Sequence, residues 1–99
     1  MTFLRMPGAF LHSIQIAIDK AYTASSFGFP TKNWMSLIGH DEGMKLGFSS
    51  QPRLIVFGGG VPISLNSQGA WIGGIGVSGA SEGEDEACAI AGLAVLNLV

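Results

Sequence analysis

The sequence predicts one small α/β domain of the α+β kind, an antiparallel sheet packed by helices. Three observations carry that expectation. Residues 10–27 place apolar side chains at helical spacing, and residues 83–98 continue an acidic helix start with an apolar run. Between them, Arg53–Leu65 and Ala70–Val77 flank Asn66-Ser67-Gln68-Gly69, a strong hairpin turn between apolar segments. The 99 residues, 47% hydrophobic and only 12% charged, suffice for a single domain (1–99) and are too apolar to stay disordered.

In chain order, Pro7-Gly8 reads as a turn ahead of a helix from Phe10 to Phe27. At 100° per residue, Ile14, Ala17, Ile18, Ala21 and Ala24 fall on one side. His12, Gln15, Asp19, Lys20, Tyr22 and Thr23 fall on the other, so the alanine side is expected against a sheet or another helix. Gly28-Phe29-Pro30 ends this helix, and Thr31 is the expected N-cap of a short one, Lys32–Ile38. Gly39–Gln51 reads as a loop with at most one helical turn. Arg53–Phe57 is an apolar run with strand character that breaks at Gly58-Gly59-Gly60, and Val61–Leu65 alternates. In Ala70–Val77, Gly74 and Gly76 leave one face bare, the mark of close approach by a backbone or a ligand. Ser81 is the expected cap of the last helix, with Glu82, Glu84, Asp85 and Glu86 at the positive end of its dipole. From Ala87 to Leu98 the residues are apolar on nearly every side, which predicts burial in the core or between subunits, with Cys88 as a packing residue.

Composition excludes several classes of function. Five Lys and Arg against seven Asp and Glu give a net charge of −2. A nucleic-acid binder needs a basic stripe, and so does a polybasic membrane-surface module. No stretch approaches the roughly 18 apolar residues of a membrane span, and Met1–Arg5 lacks the apolar core of a signal peptide. A single cysteine forms no internal disulfide. The expectation is a cytoplasmic domain, homo-oligomeric because so small a chain gains from extra burial.

Individual motifs narrow the chemistry further. Gly74-Ile75-Gly76-Val77-Ser78-Gly79 fits G-x-G-x-x-G, but its strand belongs to a hairpin and no second parallel strand follows, so close strand–helix packing is the better reading. Gly58-Gly59-Gly60 is either a bend joining two strands or a nest of backbone N–H groups for a carboxylate or other anion. His12 and His40 are too few for a metal motif, and no metal site is expected, yet one imidazole suffices as a haem axial ligand. His12 is the better placed, with Met6, Met35 and Met44 as fallback ligands. Cys88 has no motif partner, Ser78 lies one position out of register with a nucleophile elbow, and no catalytic residue is assigned. Glu84, Asp85 and Glu86 are consecutive, so they fan around the helix as dipole caps rather than form a carboxylate pair.

Six segments together resemble the GlcG/HbpS-like family, also found as the C-terminal domain of PduO-type adenosyltransferases. They are Arg5-Met6-x-Gly8-Ala9, Ile16-Ala17-x-x-Lys20-Ala21-x-Thr23-Ala24, Phe27-x-x-Pro30-Thr31, Gly59-Gly60-Val61-Pro62-Ile63, Gly73-x-Ile75-Gly76-Val77-Ser78-Gly79-Ala80 and Asp85-x-x-Cys88-Ala89. The resemblance implies a profilin/PAS-like sheet packed by helices, assembly into oligomers, and binding of haem or another small molecule. Two departures stand out. Pro7 occupies a position where the family usually carries an aspartate, and the family's initial helix and first strand have no counterpart, so the expectation is an N-terminally truncated, partial domain.

The expected function is binding of a small molecule, with haem as a possible cofactor. The alternative is an accessory enzyme acting on a small carboxylated or carbonyl metabolite, and a third reading is a ligand-free structural remnant. Lys20 and Thr23, three residues apart on one helix face, are expected to meet the two glycine turns. The ligand contacts are then Lys20, Thr23, Gly59, Gly60, Pro62, Ser78 and Gly79, with Phe27, Ile63 and Ile75 as apolar walls and His12 as the haem ligand.

Overall fold

The structure, a computed structural model, describes residues 11–64 and 71–97. Helix α1 (His12–Phe27) leads through a 3₁₀ turn (Thr31–Asn33) into α2 (Trp34–Ile38) and α3 (Glu42–Ser49). Strands β1 (Gly60–Ser64) and β2 (Trp71–Gly76) follow, then α4 (Glu82–Asn97). The strands pair antiparallel, Gly60 opposite Gly76 and Pro62 opposite Gly74, with an irregularity between Ile63 and Ser64. The predicted turn at Asn66–Gly69 lies outside the described residues.

Helix α1 crosses the hairpin at backbone distance. A Cβ on Gly76 would enter the Ala17 carbonyl, one on Gly74 the Ala21 carbonyl, and one on Gly60 the Lys20 carbonyl. The glycine-bared face is therefore filled by the backbone of α1 and holds no slot for a ligand. The alanine side of α1 thus lies against the sheet as expected, but the polar side is buried in part as well. Its buried residues are Ser13, Asp19, Lys20, Thr23 and Ala24. Small residues at 17 and 21 let the helix sink so far that flanking polar side chains enter the interior, where each finds partners.

Arg53–Phe57 forms no strand. Its backbone is served by a side chain instead of a ladder: the Thr23 hydroxyl oxygen accepts from Ile55 N at 3.1 Å and lies within donating distance of the carbonyls of Arg53 (2.9 Å) and Asp19 (2.8 Å). Arg53 itself takes φ 63°, a left-handed conformation uncommon outside glycine and asparagine. Its Nε donates to Asp19 Oδ1 at 3.0 Å and its guanidinium lies 3.7 Å from the Tyr22 ring centroid.

Thr31 caps no helix, because its hydroxyl is drawn away to accept from Gly60 N at 2.9 Å. The expected loop at Gly39–Gln51 contains the two turns of α3, started by Asp41, whose Oδ1 accepts from Met44 N at 3.0 Å. Ser81 does cap α4, accepting from Glu84 N at 3.2 Å. The rest of α4 departs from expectation: Asp85, Glu86 and Ala89 are buried, while Ile90, Val95 and Cys88 are exposed. The aromatic core adjoins this region through the 3₁₀ turn and residues 54–57. Trp34 stacks among Phe27, Phe29 and Phe48 with ring centroids 4.8–5.2 Å apart, over Ile38 and Val56. Among the described residues no helix is long and apolar enough to cross a membrane.

Candidate functional site: the glycine end of the hairpin

The hairpin extends one pair beyond the strands, where Val77 N donates to Gly59 O at 2.9 Å. That bond sets the Gly58–Gly60 and Val77–Ala80 turns side by side, the convergence expected from the sequence. Lys20 fills the space between them. Its Nζ donates to Val77 O at 2.8 Å and to Asp85 Oδ2 at 3.1 Å, and it stands 5.1 Å from the Phe57 ring centroid. Only 1% of Lys20 is exposed. A buried ammonium is tolerated only when paired and hydrogen-bonded, and here both conditions are met. Gly59, at φ +125°, admits no side chain, because a Cβ would meet Lys20 Nζ, Val77 O and Asp85 Cβ.

The backbone donors of the turns are claimed by one end of α4. Gly58 N donates to Glu82 Oε1 at 2.6 Å, Gly59 N to Glu86 Oε2 at 3.2 Å, and Ala80 N to Asp85 Oδ1 at 3.1 Å. The glycine nest does hold carboxylates, and they are the chain's own. This corrects the reading of the acidic run as dipole caps alone. Glu82 and Glu86, one helical turn apart, take adjacent N–H groups, and Asp85 between them takes Lys20. Glu84 keeps a capping role, accepting from the Ser81 hydroxyl at 2.8 Å.

Of the residues singled out in the sequence, Lys20, Gly59 and Gly60 meet here, all buried, with Ser78 half-buried and Gly79 exposed at the edge. Pro62 is half-buried on β1. Thr23 lies a turn further along α1, spent on the 53–55 segment. Phe27 is no wall of this site, because it packs edge-on to Trp34 in the aromatic core. His12 is exposed at the first residue of α1 beside exposed Leu11, and His40 is exposed as well. Glu82, Asp85, Glu86 and Thr31 are the contributors that sequence reasoning missed, although the four-residue spacing of Glu82 and Glu86 puts them on one helix face. Among the described residues no three His, Cys, Asp or Glu side chains stand where they would hold a metal ion. A cavity of about 340 Å³ opens elsewhere, along α3, lined by Gly43, Met44, Gly47, Phe48 and Gln51.

Helices packed on an antiparallel hairpin, with buried polar side chains knitting two glycine turns to the last helix, define a small α+β domain whose distinctive chemistry sits at one end of the sheet. The chain belongs to the HbpS-like family, described as haem degrading protein HbpS-like, whose family model covers residues 1–94. It is similar to an uncharacterized 15.0 kDa protein of Citrobacter freundii from the dhaT-dhaS intergenic region, 37% identical over 82 residues. That match takes in 82% of this chain and 56% of the relative, so the chain spans little more than half the relative's length. Among solved structures, Klebsiella pneumoniae protein ORFY (family DUF336) superposes on the whole chain with a TM-score of 0.87 at 31% identity, over 68% of its own length. The PduOC:heme complex matches 95% of this chain and 67% of its own, with a TM-score of 0.77 and 32% identity. A double mutant of Streptomyces reticuli HbpS matches 94% of this chain and 60% of its own, with a TM-score of 0.78 and 36% identity.

Proposed function

We propose that this chain is a small-molecule-binding protein of its family, with haem as the ligand, working as a cytoplasmic homo-oligomer. The observation that carries this reading is the likeness to PduOC, a relative solved with heme, over 95% of the chain. Haem asks for an axial nitrogen and apolar surroundings. His12 supplies an exposed imidazole, and Leu11 beside it is 69% exposed. Ala21 lies against Gly74 and Ala17 against Gly76, so α1 runs against the direction of β2 and its first turn, which begins with His12, lies toward the Gly76 end of the strand. In this reading His12 ligates the iron and Pro62, Ser78 and Gly79 border the ligand. Lys20, Thr23, Gly59 and Gly60 hold that border in place from within. The exposed apolar residues of α4, Ile90 and Val95, are the surface a second copy would cover.

The test is an absorption titration of the full chain with haemin. A saturable Soret shift that His12→Ala abolishes is the expected result, and a spectrum equal to that of free haemin overturns the reading. Sedimentation of the same samples checks assembly, where a stable folded monomer at micromolar concentration removes the oligomer from the proposal.

A further inference from the structure

Glu86 is the most anomalous side chain in the molecule. About nine-tenths of it is buried, and while Oε2 accepts from Gly59 N, Oε1 is shielded from solvent and accepts no hydrogen bond from the described residues. A buried carboxylate oxygen left without a donor is costly, and such groups in native structures call for an explanation. Facing it is Lys32 on the 3₁₀ turn, its Nζ 3.8 Å from Oε1, too far for a hydrogen bond and close enough for one atom to bridge. Glu82 closes the third side. Its Cγ, its Oε1 and the Lys32 Cβ all border the empty Cβ position of Gly58.

The geometry points to a binding subsite for a small polyol between Lys32, Glu86 and Glu82. An atom placed between Lys32 Nζ and Glu86 Oε1 must accept from the first and donate to the second, and a hydroxyl does both. A carboxylate only accepts and would set its oxygens against Glu86, and a phosphate brings negative charge that Glu82 and Glu86 repel. An ammonium only donates and would be repelled by Lys32. A metal ion meets the same lysine charge and too few ligands. A neighbouring hydroxyl on the same ligand finds a second acceptor in the Glu82 carboxylate, which is why a vicinal diol or triol suits the site better than a simple alcohol. Lys32 is the movable cover: its side chain is 53% exposed, so admitting the ligand needs a rotamer change at the surface and leaves the fold intact. This inference rests on the chain being a small-molecule binder but is independent of haem, whose proposed ligand, His12, belongs to no part of this cluster.

The experiment is a titration of the full-length, isotope-labelled chain with glycerol, following the backbone amides of Gly58 and Gly59 by NMR, with acetate and methylammonium as comparison probes. A saturable shift of the Gly59 amide with glycerol alone is expected. Lys32→Met and Glu86→Gln should each weaken it roughly tenfold, the effect of losing one hydrogen bond to a charged group. Lys32 is half-exposed, so its variant remains folded and carries the test even if Glu86→Gln does not. No saturable shift, an equal response to acetate, or a glycerol response unchanged in Lys32→Met overturns the proposal and leaves water as the bridging group. The haemin titration is read separately at the Soret band, so either reading can fail while the other stands.

Discussion

Two neighbouring clusters of this molecule are held together by different physics. At the glycine end of the hairpin, Lys20, Asp85, Glu82, Glu86 and Thr31 engage backbone groups or one another at fixed distances. In the aromatic cluster, Trp34, Phe27, Phe29 and Phe48 lean on each other and on Ile38 and Val56 with no described hydrogen bond from the Trp34 indole N–H. Dispersion and burial are tolerant of small changes in shape, whereas a buried polar network is either complete or costly. The glycine end should therefore be brittle and the aromatic cluster forgiving.

The largest effect should come from Lys20→Met, which leaves Asp85 buried without its cation. A loss of about 3–5 kcal/mol in urea unfolding is expected, the usual cost of breaking one side of a buried ion pair. Adding Asp85→Leu should recover most of that loss, because the uncompensated charge goes with it. A single variant as stable as the parent would show that the pair is not the keystone of this end. Thr31→Val is the intermediate case. It strands the Gly60 N–H, whose described acceptor is the Thr31 hydroxyl, and should cost about 1–3 kcal/mol. Faster hydrogen exchange confined to Gly60 and its neighbours would confirm the local cause. The smallest effect should be Trp34→Phe. The indole N–H makes no hydrogen bond among the described residues, so only ring volume is lost, and a cost under about 1.5 kcal/mol is expected by thermal unfolding. A loss larger than that of Thr31→Val would break the contrast between the two clusters.

The same contrast explains what the sequence revealed. The hairpin, the two long helices and the close approach at Gly74 and Gly76 were legible because glycine placement and helical spacing are local signals. The faces of α1 were not. Periodicity puts Lys20 and Thr23 on the polar side, facing the glycine turns, but nothing near them in sequence announces that Asp85, Val77, Arg53 and Ile55 will satisfy them from 30 to 65 residues away. Arg53–Phe57 misread as a strand for a related reason. Its apolar composition is that of a strand, but its backbone groups bond to a threonine hydroxyl. The glycine run could be read as a bend or as a nest for an anion, and its occupant was hidden because Glu82 and Glu86 look like ordinary helix-start acids. Ser78 and Gly79 stand out because they lie in a segment that resembles the family, and His12, outside those segments, stands out for its imidazole alone.

The Lys20–Asp85 pair also bears on the order in which the chain is made. Synthesis runs from the N-terminus, so α1 and its lysine emerge long before residue 85. Until then, closing α1 onto the hairpin would bury an ammonium with only the Val77 carbonyl to meet it. The growing chain has reason to keep α1 off the sheet until the start of α4 has left the ribosome. Docking of α1 is thereby tied to a residue 65 positions further along the chain.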